Sequence, residues 1–394
     1  MDATDDRQSG PTIGRRRLLA SSTLALGAVA GLAGCLGESG DENSDDHSGS
    51  TEDDTDGGSS DGPVDDDYPT VSPEGTSWDD LEPLSGSLAI YSGRTADQIE
   101  PVLREIETLY DDFTLEVRYG DSSGMVGQIV EEGDNSPADL FYTQDSGTLG
   151  ALKARGRTAP LTEDVLETVP EEYRDPDGTW TGVSGRTRCV AYNTDVWEAD
   201  ELPDDIFAYA EDDRFDGEMG WRVDSGSFLS FIRAMMLEYG EEDTREWIEG
   251  LQERGITNNE GGSTTPQAIA DGELSIGFVN HYYVGRHLDD NPNAPMSVTF
   301  TDGDIGSLFN VSGVAPIDTA EDLDLVRNFV RHLLTLEGQE FFVDTNAEYA
   351  VIPAVEYDRG DVPEQDELAV PSFDLNELAD VEPAQDLLRD TGVL

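Results

Sequence analysis

Eighty-six aspartates and glutamates stand against 23 lysines and arginines in this 394-residue chain, a formal charge of −63, and any fold it adopts must survive that self-repulsion. In dilute buffer such a surface repels itself strongly. Concentrated salt relieves the strain, because the Debye length falls to about 3 Å at 1 M. Among the basic residues only Lys153 is a lysine, and the chain reads as halophilic. Hydrophobic residues still make up 36% of it, enough to build a core and to exclude disorder along the whole length. The same charge excludes nucleic acid as a partner and disfavours direct adsorption to anionic lipid, since phosphate binding is driven by lysine and arginine displacing counterions.

The N-terminus carries an address. Gly14-Arg15-Arg16-Arg17-Leu18-Leu19 precedes a small, apolar run over residues 20–32, which closes in Leu32-Ala33-Gly34-Cys35. A charged head, a weakly hydrophobic middle and a small-residue end make an export signal; the run is too short and too glycine-rich to span a bilayer. The paired arginines resemble the twin-arginine route. Leu-Ala-Gly-Cys resembles a lipoprotein cleavage box, so residues 1–35 read as a signal peptide with Cys35 as the point of lipid attachment. A secreted protein without lipid is the plainer alternative. Residues 36–85 hold 17 Asp or Glu, no Lys or Arg, and many Ser, Gly and Thr, and are expected to form a disordered acidic linker. The other cysteine, Cys189, sits beside Val190 and reads as a buried structural thiol.

From residue 86 the pattern alternates short apolar runs with helical periods. Strands are expected at 87–91, 114–118, 138–142 and 274–279. Helices are expected at 96–110, 126–132, 148–154, 228–239, 244–254 and, as one long element, 321–336. Ile99, Leu103, Ile106 and Tyr110 form one stripe of the first helix. Alternation of this kind predicts an α/β fold, and its length predicts two lobes with a cleft between them. The expected boundaries are a first lobe at 86–185, a second at 186–312 and a C-terminal segment, 313–394, completing both. No short internal repeat is present.

Catalytic signatures are missing. There is no phosphate-binding Walker loop, no His-x-x-x-His pair and no Gly-x-Ser-x-Gly elbow, although Asp224-Ser225-Gly226-Ser227 comes near the last. A hydrolase built on Ser225 or Ser227 would have to recruit His281, His287 or His332. The most informative cluster is Asn280-His281-Tyr282-Tyr283, just past a strand end, where neighbouring side chains can converge as the chain turns into a helix. Two phenols at one point can share a ligand, or can simply close the edge of a core. Arg186 and Arg188 flank Thr187 and point the same way if extended. Acid runs such as Asp111-Asp112, Glu241-Glu242-Asp243 and Asp289-Asp290 lack calcium-loop spacing and read as solvated surface.

Several segments, in order and nearly spanning the body, resemble the ferric-ion-binding proteins of ABC importers, which have the periplasmic-binding-protein fold. They are Ala89-Ile90-Tyr91-Ser92-Gly93-Arg94, Glu131-Glu132-Gly133-Asp134-Asn135-Ser136-Pro137-Ala138-Asp139-Leu140-Phe141, Gly182-Val183-Ser184-Gly185-Arg186-Thr187-Arg188, and the tyrosine pair. The resemblance implies an extracellular, non-enzymatic, monomeric solute-binding protein that carries ferric iron, Fe(3+), to a membrane permease. It assigns Tyr282 and Tyr283 as phenolate ligands, with Tyr192 matching a third tyrosine. Hard ferric iron suits such anionic oxygen donors. At the positions of the family's histidine and glutamate ligands stand Thr95 and Gln144, neither a strong ferric ligand. A tri-tyrosine site completed by carbonate or another small anion is therefore the better match. Arg186 is the expected anion partner, with Thr95, Ser225, Gly226, Ser227 and Asn280 as further anion contacts. Thr95, with Gln98 three residues on, also reads as a plain helix cap, as does Ser225. A phosphorylated or carboxylated organic solute is the alternative cargo.

Overall fold

One strand, buried along its whole length, belongs to both sheets of this protein. The computed structural model describes residues 68–360, 362–365 and 368–394; the export signal, Cys35 and the acidic stretch up to residue 67 lie outside the described residues. The strands are β1 Gly86–Ser92, β2 Phe113–Tyr119, β3 Leu140–Thr143, β4 Thr181–Asn193, β5 Met219–Trp221, β6 Thr257–Asn258, β7 Ile276–Asn280, β8 Met296–Thr299 and β9 Phe309–Pro316. The first sheet runs β2-β1-β3-β9-β4 and the second continues from β4 through β7 and β5 to β6, with β8 on the other side of β4. Within β4, residues up to Thr187 pair with β9, and residues from Arg188 onward pair with β7. The sheets therefore meet at the Thr187–Arg188 peptide, and the chain returns to the first sheet through β9. A strand shared by both sheets makes a natural hinge.

Local sequence accounts for most elements. The helix Ala96–Leu109 buries Ile99, Val102, Leu103 and Ile106 on one face, as its period predicts. The helix Ser122–Glu132 starts earlier than expected because the Asp121 side chain accepts the Gly124 N–H at 2.7 Å. The expected long helix at 321–336 is instead two, Leu323–Leu333 and Leu336–Asn346. Thr335 makes the break: its hydroxyl donates to the His332 carbonyl at 2.8 Å and accepts the Gly338 N–H at 3.3 Å. A second correction concerns the linker. Residues 68–85 pack on the body, with Val71, Leu81 and Leu84 buried in the core. The Val71 N–H donates to Asp164 at 3.0 Å and the Trp78 indole to the His332 carbonyl at 2.9 Å. A few apolar anchors outweigh the acidic composition there. Cys189 is buried as expected, and burial pushes its thiol up to about 12. Among the described residues no helix is long and apolar enough to cross a membrane.

Where the sheets meet, Arg94 is fully buried. Its guanidinium donates to Ser184 at 3.0 Å, to Ser312 at 2.8 Å and to Glu348 at 2.6 Å, so the loop after β1, the strands β4 and β9 and the C-terminal segment are tied at one point. Glu348 also accepts the Ser184 hydroxyl at 2.7 Å. Salt screens such an enclosed pair little. Glu348→Gln leaves the guanidinium charged and without its counter-ion, and is expected to cost about 3–5 kcal/mol. A denaturation midpoint unchanged at fixed salt would refute this.

Candidate metal centre

The site is built on the end of β7. Asn280 has extended backbone, and the helix His281–Asp290 begins immediately after it. That change of conformation brings the rings of Tyr282 and Tyr283 to a 4.3 Å centroid separation at 42°. Tyr282 is 2% exposed, whereas Tyr283 is half-buried. Burial, reinforced by the neighbouring Tyr283, holds the Tyr282 phenol well above its ordinary range, while Arg186 pulls the other way. The loop between β6 and the helix Thr264–Ala270 closes over the second ring: a Cβ on Gly262 would lie 2.0 Å from Tyr283 Cζ, so only glycine fits there. Gly262→Ala is expected to displace that ring and weaken binding at the pair by about tenfold, read by titration beside the wild type; equal affinities would refute it.

Arginines surround the pair. Arg94, Arg186, Arg188 and Arg222 all interact electrostatically with the Tyr282 phenol, and two of them, Arg188 and Arg222, also with Tyr283. Arg94 is paired with Glu348, and Arg222 with Asp224 at 2.8 Å. Arg188 lies over the Phe231 ring, 4.8 Å from its centroid, and donates to the Phe278 carbonyl at 3.2 Å. Burial lowers its pKa to about 10. Arg186, 3% exposed, donates through Nη1 to the Gln144 carbonyl, while its Nη2 has no hydrogen-bond partner among the described residues. Gln144 Nε2 is likewise without a partner. The nearby carboxylate is Asp145, whose pKa burial raises against the pull of Arg186.

The second lobe adds a helix start. Ser225 caps the helix Gly226–Tyr239, accepting the Phe228 N–H at 3.2 Å, and its hydroxyl lies 3.3 Å from that of Ser227. Asn280 does not cap its own helix; its amide reaches Ser227 at 3.4 Å. Free amides at a helix start favour an anion. The two lobes touch at the rim, where Arg286 meets Asp97 at 3.3 Å. Asp145 also faces Gly226, whose Cβ position lies 3.6 Å from Oδ2.

Two expected site residues stand elsewhere. Tyr192 is paired with Ile276 and Ser297, four strand positions beyond the Arg188–Asn280 pair, which is about 13 Å of extended chain. Its ring belongs to the core cluster, so it does not join the tyrosine pair. Strand spacing alone separates them. Tyr192→Phe is expected to leave ligand affinity within about threefold of wild type; a tenfold loss would return it to the site. Thr95 is exposed and serves as a cap, its N–H donating to Gln98 Oε1 at 3.1 Å. Arg186 interacts electrostatically with the Tyr282 phenol, and Asn280, next to the pair in sequence, reaches Ser227. Sequence reasoning missed Arg94, Glu348 and Arg222. Arg94 carried a signal, as a scarce basic residue just past a strand end; Glu348 carried none among 86 acids.

The chemistry available is narrow. Among the described residues no three His, Cys, Asp or Glu side chains cluster as a metal site. A metal here would be held by phenolate oxygens and by whatever anion the arginines attract. Among the described residues no histidine hydrogen-bonds Ser225 or Ser227. His281 is buried against Tyr349, accepts the Thr187 N–H at 3.2 Å, and burial lowers its pKa to about 3.

Residues 92–340 match the pattern of the bacterial extracellular solute-binding protein family. The chain is 30% identical to iron uptake protein A1 of Synechocystis sp. over 265 residues, covering 63% of this chain and 72% of that protein. It is 29% identical to the major ferric iron-binding protein of Neisseria meningitidis over 287 residues, 69% of this chain and 83% of that one. The crystal structure of iron-bound HitA from Pseudomonas aeruginosa superposes with a TM-score of 0.72 at 28% identity, over 78% of this chain and 99% of that chain.

Proposed function

The chain belongs to the bacterial extracellular solute-binding protein family, a family of binding proteins rather than enzymes, and from that premise we propose that it captures ferric iron for an ABC importer. Relatives named for iron, one of them for ferric iron, support the cargo. The observation that carries the reading is the convergence of Tyr282 and Tyr283 at the β7 end, beside the buried Arg186 guanidinium. Both phenols ionise and bind the metal. Arg186, Gln144, Ser225, Ser227 and Asn280 hold the accompanying anion, carbonate or another. Closure about β4 and β9 excludes water, which strengthens every charge interaction inside, and presents the closed shape to a permease. In this reading the protein is a monomer, exported by the twin-arginine route, tethered by lipid on Cys35 and adapted to high salt.

The test is a titration of purified protein in concentrated salt with ferric citrate. A visible phenolate-to-iron charge-transfer band is expected. Absence of a band with every anion tried, together with no binding by calorimetry, would overturn the proposal. The arginines and the helix start at Ser225 also favour a second reading, a phosphorylated or carboxylated organic solute. Calorimetry on a solute panel with iron withheld separates the two.

A further inference from the structure

Beside the hinge lies a cavity of about 420 Å³ that shares no residue with the tyrosine pair or its arginines. Tyr173, Tyr349 and Tyr357 line it, together with Ile352 and Val355. Each phenol hydroxyl already has a protein partner: Tyr173 accepts the Gln365 amide at 2.8 Å, Tyr349 donates to the Pro363 carbonyl at 2.8 Å, and Tyr357 donates to the Ala347 carbonyl at 3.4 Å. What the tyrosines add to the cavity is therefore mainly ring carbon, a poor match for a sugar or another ligand read by hydrogen bonds. Glu172, Glu356 and Glu364 supply charge, and among the described residues that line the cavity none is basic. Carboxylates repel an anion, and aromatic rings draw a cation toward their faces. An ammonium ion carrying alkyl or aryl groups meets both demands.

The wall of this cavity is also part of the hinge. Tyr349 exchanges backbone hydrogen bonds with Gly185 of β4, at 2.7 and 2.9 Å, just before the Thr187–Arg188 junction of the two sheets. The Tyr349 ring stacks on His281 at 4.5 Å and 30°, and Tyr357 packs on Tyr349 at 4.5 Å. His281 opens the helix that carries Tyr282 and Tyr283, and it accepts the Thr187 N–H at 3.2 Å. Tyr173 meets the same cluster through Phe309 of β9, 4.8 Å away. One group of aromatic rings thus joins the cavity, the strand shared by both sheets and the tyrosine helix.

We propose that this cavity is an accessory site for an organic ammonium ion, and that its occupancy favours the lobe arrangement seen here, with Arg286 on Asp97, and so tightens iron binding. A ligand shifts such an equilibrium only through its different affinities for the two states, and the cavity wall is built from the hinge residues themselves. The site stands on the cavity alone, whereas its coupling to the cleft rests on the iron reading.

The experiment is calorimetry of iron-free protein in concentrated salt, with benzyltrimethylammonium as probe and benzoate as the control of opposite charge. The cation is expected to bind at about millimolar concentration or below, and benzoate not to bind this site. Glu172→Gln with Glu356→Gln, both exposed positions, should weaken the cation at least about threefold, while Tyr282→Phe with Tyr283→Phe should leave it bound. No cation binding, benzoate competing with the cation as well as the cation itself, undiminished binding in the glutamine variant, or loss in the phenylalanine variant would each overturn the site. Saturating cation should then raise ferric affinity at least about fivefold in wild type and less in the glutamine variant. Cation bound with ferric affinity unchanged would overturn the coupling and leave iron capture standing; cation bound with no iron taken up under any condition would overturn the iron reading and leave the site.

Discussion

Replacing Tyr282 and Tyr283 together by phenylalanine is expected to lower ferric affinity by about 10⁴-fold and to remove the charge-transfer band. Removing a group outside a metal's coordination sphere commonly costs 10–100-fold. An anionic ligand bound directly to a trivalent ion should cost at least about a hundredfold, and the pair supplies two. The substitution spares the fold because only hydroxyls are lost: Tyr282 keeps its edge-on packing against His281 at 6.0 Å, and both rings keep their mutual contact. Tyr283→Phe alone should weaken the band and leave a measurable, colour-shifted complex through Tyr282. Affinity within tenfold of wild type in the double variant would end the phenolate assignment.

Acid should release the cargo steeply. Burial and the adjacent phenol hold Tyr282 protonated in the empty cleft, well above the ordinary range. Iron binds the ionised form, so capture expels protons, and affinity rises with pH and falls in acid. Each phenolic proton released changes the dissociation constant about tenfold per pH unit, and two change it about a hundredfold. From pH 7.5 to 5.5 the loss should approach about 10⁴-fold after correction for protonation of the competing chelator. The slope of log Kd against pH measures it. A slope near zero would mean that no phenol ionises on binding.

Both results turn on features of unequal legibility. The alternating strands and helices of the body, the stripe of Ile99, Leu103 and Ile106, and the Tyr282–Tyr283 pair at a strand end could be read directly, because period and chain turns are local. The linker was legible only in part, since residues 68–85 are anchored far along the chain, Val71 on Asp164 and Trp78 on the His332 carbonyl. The break in the expected helix at 321–336 depends on a single hydroxyl pair of bonds at Thr335. Tyr192 shows the sharpest limit. Residue type and the strand around it suit a ligand, but its position along β4 places it about 13 Å past the hinge, and only strand register reveals that.

What the sequence alone determined was the charge regime, the α/β alternation and the neighbouring phenols, all properties of adjacent residues. The tertiary structure decided which groups face those phenols. Arg94 and Glu348 are 254 positions apart, and Arg186 meets the tyrosine helix only through the crossing of β4 between sheets. Ligand chemistry here is a matter of which side chains converge and which remain unsatisfied, and convergence between distant segments is set by packing and register, which no local pattern encodes.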